Sequence, residues 1–149
     1  MFQTNNSNRV SLVLFLLRIS IFVVMLMWTI DKFVRPEHAA SVFDHFYALH
    51  GVGRTIIFAI GAAELIVLIA FVLALAQRFT YGAVLLLHAA STLSSFRQYF
   101  APFEKVNLLF FAAWPMLAAC FALYYLRDLD VRWRVGARIP SVQKTYLFP

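Results

Sequence analysis

Cysteine is almost missing from this chain: Cys120 is the only one in 149 residues. An internal disulfide, a CxxC redox pair and a cysteine metal cage are therefore excluded. Charge is scarce as well, with 13% Asp, Glu, Lys and Arg, where a soluble domain carries about 25%. The ingredients of a stand-alone enzyme are also lacking. There is no Ser/His/Asp set, no pair of carboxylates within one apolar segment and no phosphate-binding glycine loop; Gly51-Val52-Gly53 is too short and follows no strand. What is present is apolar: 62% hydrophobic residues and a mean hydropathy of +0.77. These values exclude a disordered chain and argue against a water-soluble globule. They fit an integral membrane protein of one domain.

A bilayer core about 30 Å thick needs roughly 20 apolar residues of helix. Four segments supply that length: residues 10–30, 55–76, 79–96 and 106–126. The expected fold is an all-α, integral membrane four-helix bundle over residues 1–126, followed by a basic tail over 127–149. Only Gln77 and Arg78 separate the second and third spans, so these must be antiparallel neighbours. Pro115 predicts a kink in the fourth. The first run is longer than the hydrophobic part of a signal peptide and no small-residue cleavage site follows it, so it is read as retained. Arg9, Arg78, Arg127, Arg132, Arg134, Arg138 and Lys144 fall on one side, against Lys32, Arg35, Arg54, Arg97 and Lys105 on the other. By the positive-inside rule both termini are cytoplasmic, in an inner (cell) membrane. The basic tail suits anionic lipid, and nothing in it resembles nucleic-acid recognition.

The loop from Asp31 to Gly53 is too long for a bare hairpin. Pro36 and Glu37 suit the start of a helix, and Gly51 suits its end, so a short interfacial helix is expected there. His38, His45, His50 and Asp44 lie in this loop. Because His38 and His45 are two helical turns apart and no H-x3-H pair exists, solvated histidines are the simpler reading than a metal site.

The informative residues lie inside the spans, where an ionisable side chain is costly and marks a candidate site. Arg18, Glu64 and His88 are the three. Counting 1.5 Å per residue puts them within about one turn of a common depth, which predicts an Arg18–Glu64 ion pair with His88 nearby. His88, Ser91, Thr92 and Ser95 share one helical face, with Tyr81 two turns earlier. Small residues at Ala59, Ala63, Ala70 and Ala74 flank Glu64 and suit close helix approach. Trp114, with Phe111, Phe121 and Tyr125, forms an aromatic stripe expected to line the interior. The constellation reads either as glue that fixes helix register or as a site for a polar head group or a proton relay.

The order Leu17-Arg18-Ile19-Ser20, Trp28, Asp31-Lys32-Phe33, Pro36, then Gly61-Ala62-Ala63-Glu64-Leu65 and a turn at Arg78 resembles the DoxX-like family of small four-helix membrane proteins. The resemblance covers roughly residues 12–96, on short motifs, and carries over Arg18, Lys32 and Glu64. It implies a membrane subunit or accessory factor of a redox system linked to a quinone, not catalytic by itself. A related branch bears cysteines beyond the third helix; the matching stretch Arg97–Phe103 has none, which argues against thiol transfer. A partner protein or a homo-oligomer is expected. The tail alternates Asp130, Arg132 and Arg134 with Val131, Trp133 and Val135, as a strand added to a partner's edge would, or as a segment lying on the membrane through Trp133. The alternative function is a small proton-coupled transporter or pore using Glu64.

Overall fold

The computed structural model of the protein describes residues 2–135. The chain runs α1 Phe2–Val34, α2 Pro36–Tyr47, α3 Arg54–Val72, α4 Gln77–Ser94, α5 Phe96–Phe100 and α6 Ala113–Tyr125. A 3₁₀ run, Asn107–Ala112, leads into α6, and a second, Arg127–Leu129, follows it. No strand occurs among the described residues. Three stretches are long and apolar enough to cross a membrane: Asn6–Val34, Arg54–Val72 and Asn107–Tyr125.

α1 packs on α3 and α6, and α4 packs on the same two helices, so the four longer helices close into a ring. Leu14 and Ile21 of α1, Leu68 and Phe71 of α3, Val84 of α4 and Leu123 of α6 fill its centre. α1 and α3 approach closely at Gly61. A Cβ there would stand 2.9 Å from the Phe33 ring and 3.3 Å from Lys32 Cβ. Gly61 therefore sets how near the two helices come. The alanine stripe does not, since Ala59 and Ala63 point outward.

Several element ends differ from expectation for local reasons. α2 begins at Pro36, as its fixed φ favours, but stops at Tyr47. Ala48 takes the left-handed conformation (φ 53°), and the amides of Ala48 and Leu49 both reach the Phe43 carbonyl. Gly51, also left-handed at φ 71°, serves the next turn instead. α3 ends four residues early, with Ala74 and Ala76 left-handed in the turn, so Gln77 falls inside α4 and is buried. Pro115 sits in the first turn of α6, where its missing N–H is not needed. Its ring would collide with the carbonyl of Phe111 in a continuing α-helix. The preceding run is 3₁₀, and the expected kink takes that form.

After α6 the chain doubles back as a strap across the end of the ring. The Val135 amide donates to the Leu73 carbonyl at 3.2 Å, and Asp130 is fully buried. Residues 130–135 take no strand conformation here, and the segment is held by one inward acid, Asp130. The first part of the tail packs on the helices. The rest of the tail, residues 136–149 with Arg138 and Lys144, lies outside the described residues.

Candidate functional site

The expected Arg18–Glu64 pair does not form. Arg18 lies at the strap end of the ring with no exposed surface. Its Nη1 stands 3.2 Å from Asp130 Oδ2, and neither side chain reaches solvent. The same nitrogen donates to Tyr81 Oη at 3.2 Å, and Nη2 donates to the Arg132 carbonyl at 2.5 Å. Tyr81 donates onward to Asp130 Oδ2 at 2.7 Å, and Gln77 donates to the Asp130 carbonyl at 2.9 Å. Removing two charges from water is costly unless hydrogen bonds complete the pair. Tyr81 and the Arg132 carbonyl supply part of those bonds and Gln77 anchors the Asp130 backbone, while Arg18 Nε and Asp130 Oδ1 have no partner among the described residues.

Glu64 lies about a helix half-length away and pairs with Lys32. Lys32 Nζ is 2.8 Å from Glu64 Oε2, and Thr29 donates to the same oxygen at 3.1 Å. Fourteen residues of α1 separate Arg18 from Lys32, roughly 21 Å of helix. The depth estimate failed because it set residues 10 and 76 level; with Lys32 level with Glu64, the chain from Glu64 to the end of α3 at Val72 reaches back only to about Val24 of α1, short of Arg18. The pair borders a cavity of about 810 Å³ that α2 roofs with Val42, Phe43 and Phe46. Ser91 and Ser94 of α4 and Ser95 just after it also line it.

His88 occupies a third position. Its Nε2–H donates to the Ala113 carbonyl at 3.1 Å, a carbonyl being able only to accept, while Nδ1 has no partner. Trp28 stacks on the ring at 5.9 Å. Thr92 spends its hydroxyl proton on the His88 carbonyl at 2.8 Å. His88, Ser91, Thr92 and Ser95 do share a face turned inward, as their spacing predicts: His88, Thr92 and Ser95 are buried and Ser91 partly so. His88, Ser91 and Ser95 line a second cavity of about 760 Å³ between α1, α4 and the 3₁₀–α6 segment. Its wall is otherwise nearly all apolar, with Ile21, Val24 and Met116. Trp28, Ser91, Ser95 and Phe110 border both cavities.

The remaining expected residues lie elsewhere. Trp114 is 46% exposed and leans on Tyr99 at 5.6 Å. Phe121 and Tyr125 are exposed too: the aromatic stripe faces outward, and Cys120 and Leu123 form the packed side of α6. Burial raises the Tyr99 phenol above its ordinary value. His38 pairs with Asp31 at 2.7 Å on the rim of the α2-roofed cavity. His45 meets only the edge of Phe46 among the described aromatic contacts, and His50 pairs with Asp44. The residues missed from sequence are Asp130, Gln77 and Thr29.

Comparison with protein-family models, curated proteins and solved structures gives no match.

Proposed function

We propose that the chain is an integral membrane four-helix protein that binds a lipophilic redox molecule, a quinone, as a non-catalytic subunit or accessory factor of a redox system. The observation that carries this reading is the 760 Å³ cavity beside His88. Its volume falls in the range of small-molecule sites, roughly 300–1,000 Å³, and its apolar wall with a few polar groups is the usual makeup of such sites. An isoprenoid chain suits Ile21, Val24 and Met116. The Ser91 hydroxyl makes no hydrogen bond of its own among the described residues and suits a ring carbonyl. Bound there, a quinone supplies the electron and proton chemistry, and the chain holds and orients it. The DoxX-like order of Arg18, Lys32 and Glu64 points the same way.

Membrane insertion rests on the three long apolar stretches. α4 is the fourth crossing in this reading. Its 18 residues span roughly 27 Å, and its polar face, with Tyr81, His88 and Thr92 buried, is turned away from lipid. The distribution of Lys and Arg favours both termini on the cytoplasmic side of an inner membrane. The transporter reading through Glu64 is weaker, because a carrier cycle there would have to break the 2.8 Å contact with Lys32 at each turn.

Mass spectrometry of the protein isolated in mild detergent tests the proposal. It expects a redox partner polypeptide and extractable quinone in stoichiometric amount. A clean homo-oligomer with neither contradicts it and favours a pore or transporter.

A further inference from the structure

The cavity under α2 differs in chemistry from the one beside His88. The apolar cavity carries no charged residue on its wall. The α2-roofed one carries two acids and two bases, Asp31, Glu64, Lys32 and Arg35, and each acid is matched by a base at 2.8 Å or closer. With His38 neutral, the wall is formally uncharged, so it offers no net attraction to an ion of either sign.

What it offers is a donor beside an acceptor. Glu64 Oε2 is taken by both Lys32 and Thr29, whereas Oε1 has no hydrogen-bond partner among the described residues and is not among the buried unsatisfied atoms. Lys32 has three N–H groups; one meets Glu64 at 2.8 Å and a second the Trp28 carbonyl at 3.4 Å. One ammonium proton and one carboxylate oxygen therefore remain for a ligand, side by side. The roof of Val42, Phe43 and Phe46 and the floor of Met25 and Leu87 are apolar.

The geometry points to a second ligand site here, for an uncharged amphiphile whose head carries an acceptor and a donor on one carbon, as a primary amide does. The head's carbonyl accepts from Lys32, its N–H donates to Glu64 Oε1, and the chain lies under α2. This site stands apart from the quinone reading, since Val42 lines only this cavity and Ala119 lines only the other.

The test is equilibrium binding of radiolabelled hexadecanamide to the full chain in mild detergent, with hexadecane and hexadecyltrimethylammonium as competitors. Saturable binding is expected that neither competitor displaces. Val42→Trp, which fills the roof side and leaves the ion pair intact, should abolish it, and Ala119→Phe should leave it unchanged. Glu64→Gln should weaken it about tenfold or more, the worth of a hydrogen bond to a charged group. Should Val42→Trp melt at a much lower temperature than the parent, Ser94→Leu on the opposite wall replaces it with the same expectation. Absence of saturable binding overturns the proposal. So does binding that survives both wall substitutions in folded protein, or binding lost in Ala119→Phe alone, which would seat the amide beside His88. Loss of quinone binding with amide binding kept overturns only the function proposed above.

Discussion

Arg18 and Asp130 are each fully buried, at the meeting point of α1, α4 and the strap. Truncating either one leaves a charge with no partner in a site closed to water, which costs about 3–5 kcal/mol. Arg18→Ala and Asp130→Ala should therefore each lower the melting temperature in detergent sharply. The double variant should recover part of the loss, because the two effects share one contact. Arg18→Ala combined with Glu64→Ala should behave differently. Those residues touch different partners, so their effects should add. A thermal melt of these variants and of Glu64→Ala alone separates the cases; recovery in the Arg18/Glu64 pair and additivity in the Arg18/Asp130 pair would contradict the structure. Tyr81→Phe keeps the ring in the core but leaves Asp130 Oδ2 without its shortest donor, and should cost about 1–3 kcal/mol in the same melt. That Arg18, Glu64 and His88 need polar partners was legible in the sequence, since each is a polar side chain in an apolar run. Their partners were not. Asp130 lies past the last span, and nothing local distinguishes it from Asp128 two residues earlier, which stays outside the Arg18 cluster.

At the scale of elements, partner choice is a question of register. α1 and α3 run antiparallel, so where each helix stops decides what faces what. The turn after α3 uses alanines in left-handed geometry at 74 and 76, where side-chain chemistry gives little warning. With Lys32 level with Glu64, α3 ends well short of the level of Arg18, whose acid comes from the strap instead. The helices themselves, the short α2 and the inward face of α4 were readable from periodicity and length, because long periodic segments impose themselves on local structure. The outward aromatic stripe of α6 was not, since a face rich in aromatics suits a core and a lipid boundary alike. Gly61 carries the α1–α3 approach. Gly61→Ala asks Lys32 Cβ to give a few tenths of an ångström and moves the end of the Phe33 ring, so a small loss is expected. Gly61→Leu has no room and should part the helices at the Lys32–Glu64 contact. Crosslinking between cysteines placed at positions 33 and 58, whose rings stack at 5.9 Å, reads this directly. Equal crosslinking in the parent and the leucine variant would contradict the role given to Gly61.

Across the whole molecule, the strap closes one end of the helical ring through Asp130 and α2 covers the other, where the larger cavity lies. The cavity beside His88 opens at the side: Val24 and Leu109 on its wall are well exposed. That layout suits a ligand arriving from the lipid phase, with its polar head travelling inward to His88 and Ser91. Ending the chain after Leu126 removes Asp130 and the carbonyl that Arg18 uses. It should destabilise the ring at least as much as Asp130→Ala, which a melt of the shortened protein checks. The central claim is that the cavity beside His88 holds a quinone, and Trp28 stands on its wall. The most direct measurement is the emission of Trp28 in protein carrying Trp114→Phe and Trp133→Phe, titrated with a short-chain benzoquinone. Saturable quenching that disappears in Ala119→Phe is the predicted result. Quenching that rises without limit, and equally in both proteins, would contradict the account.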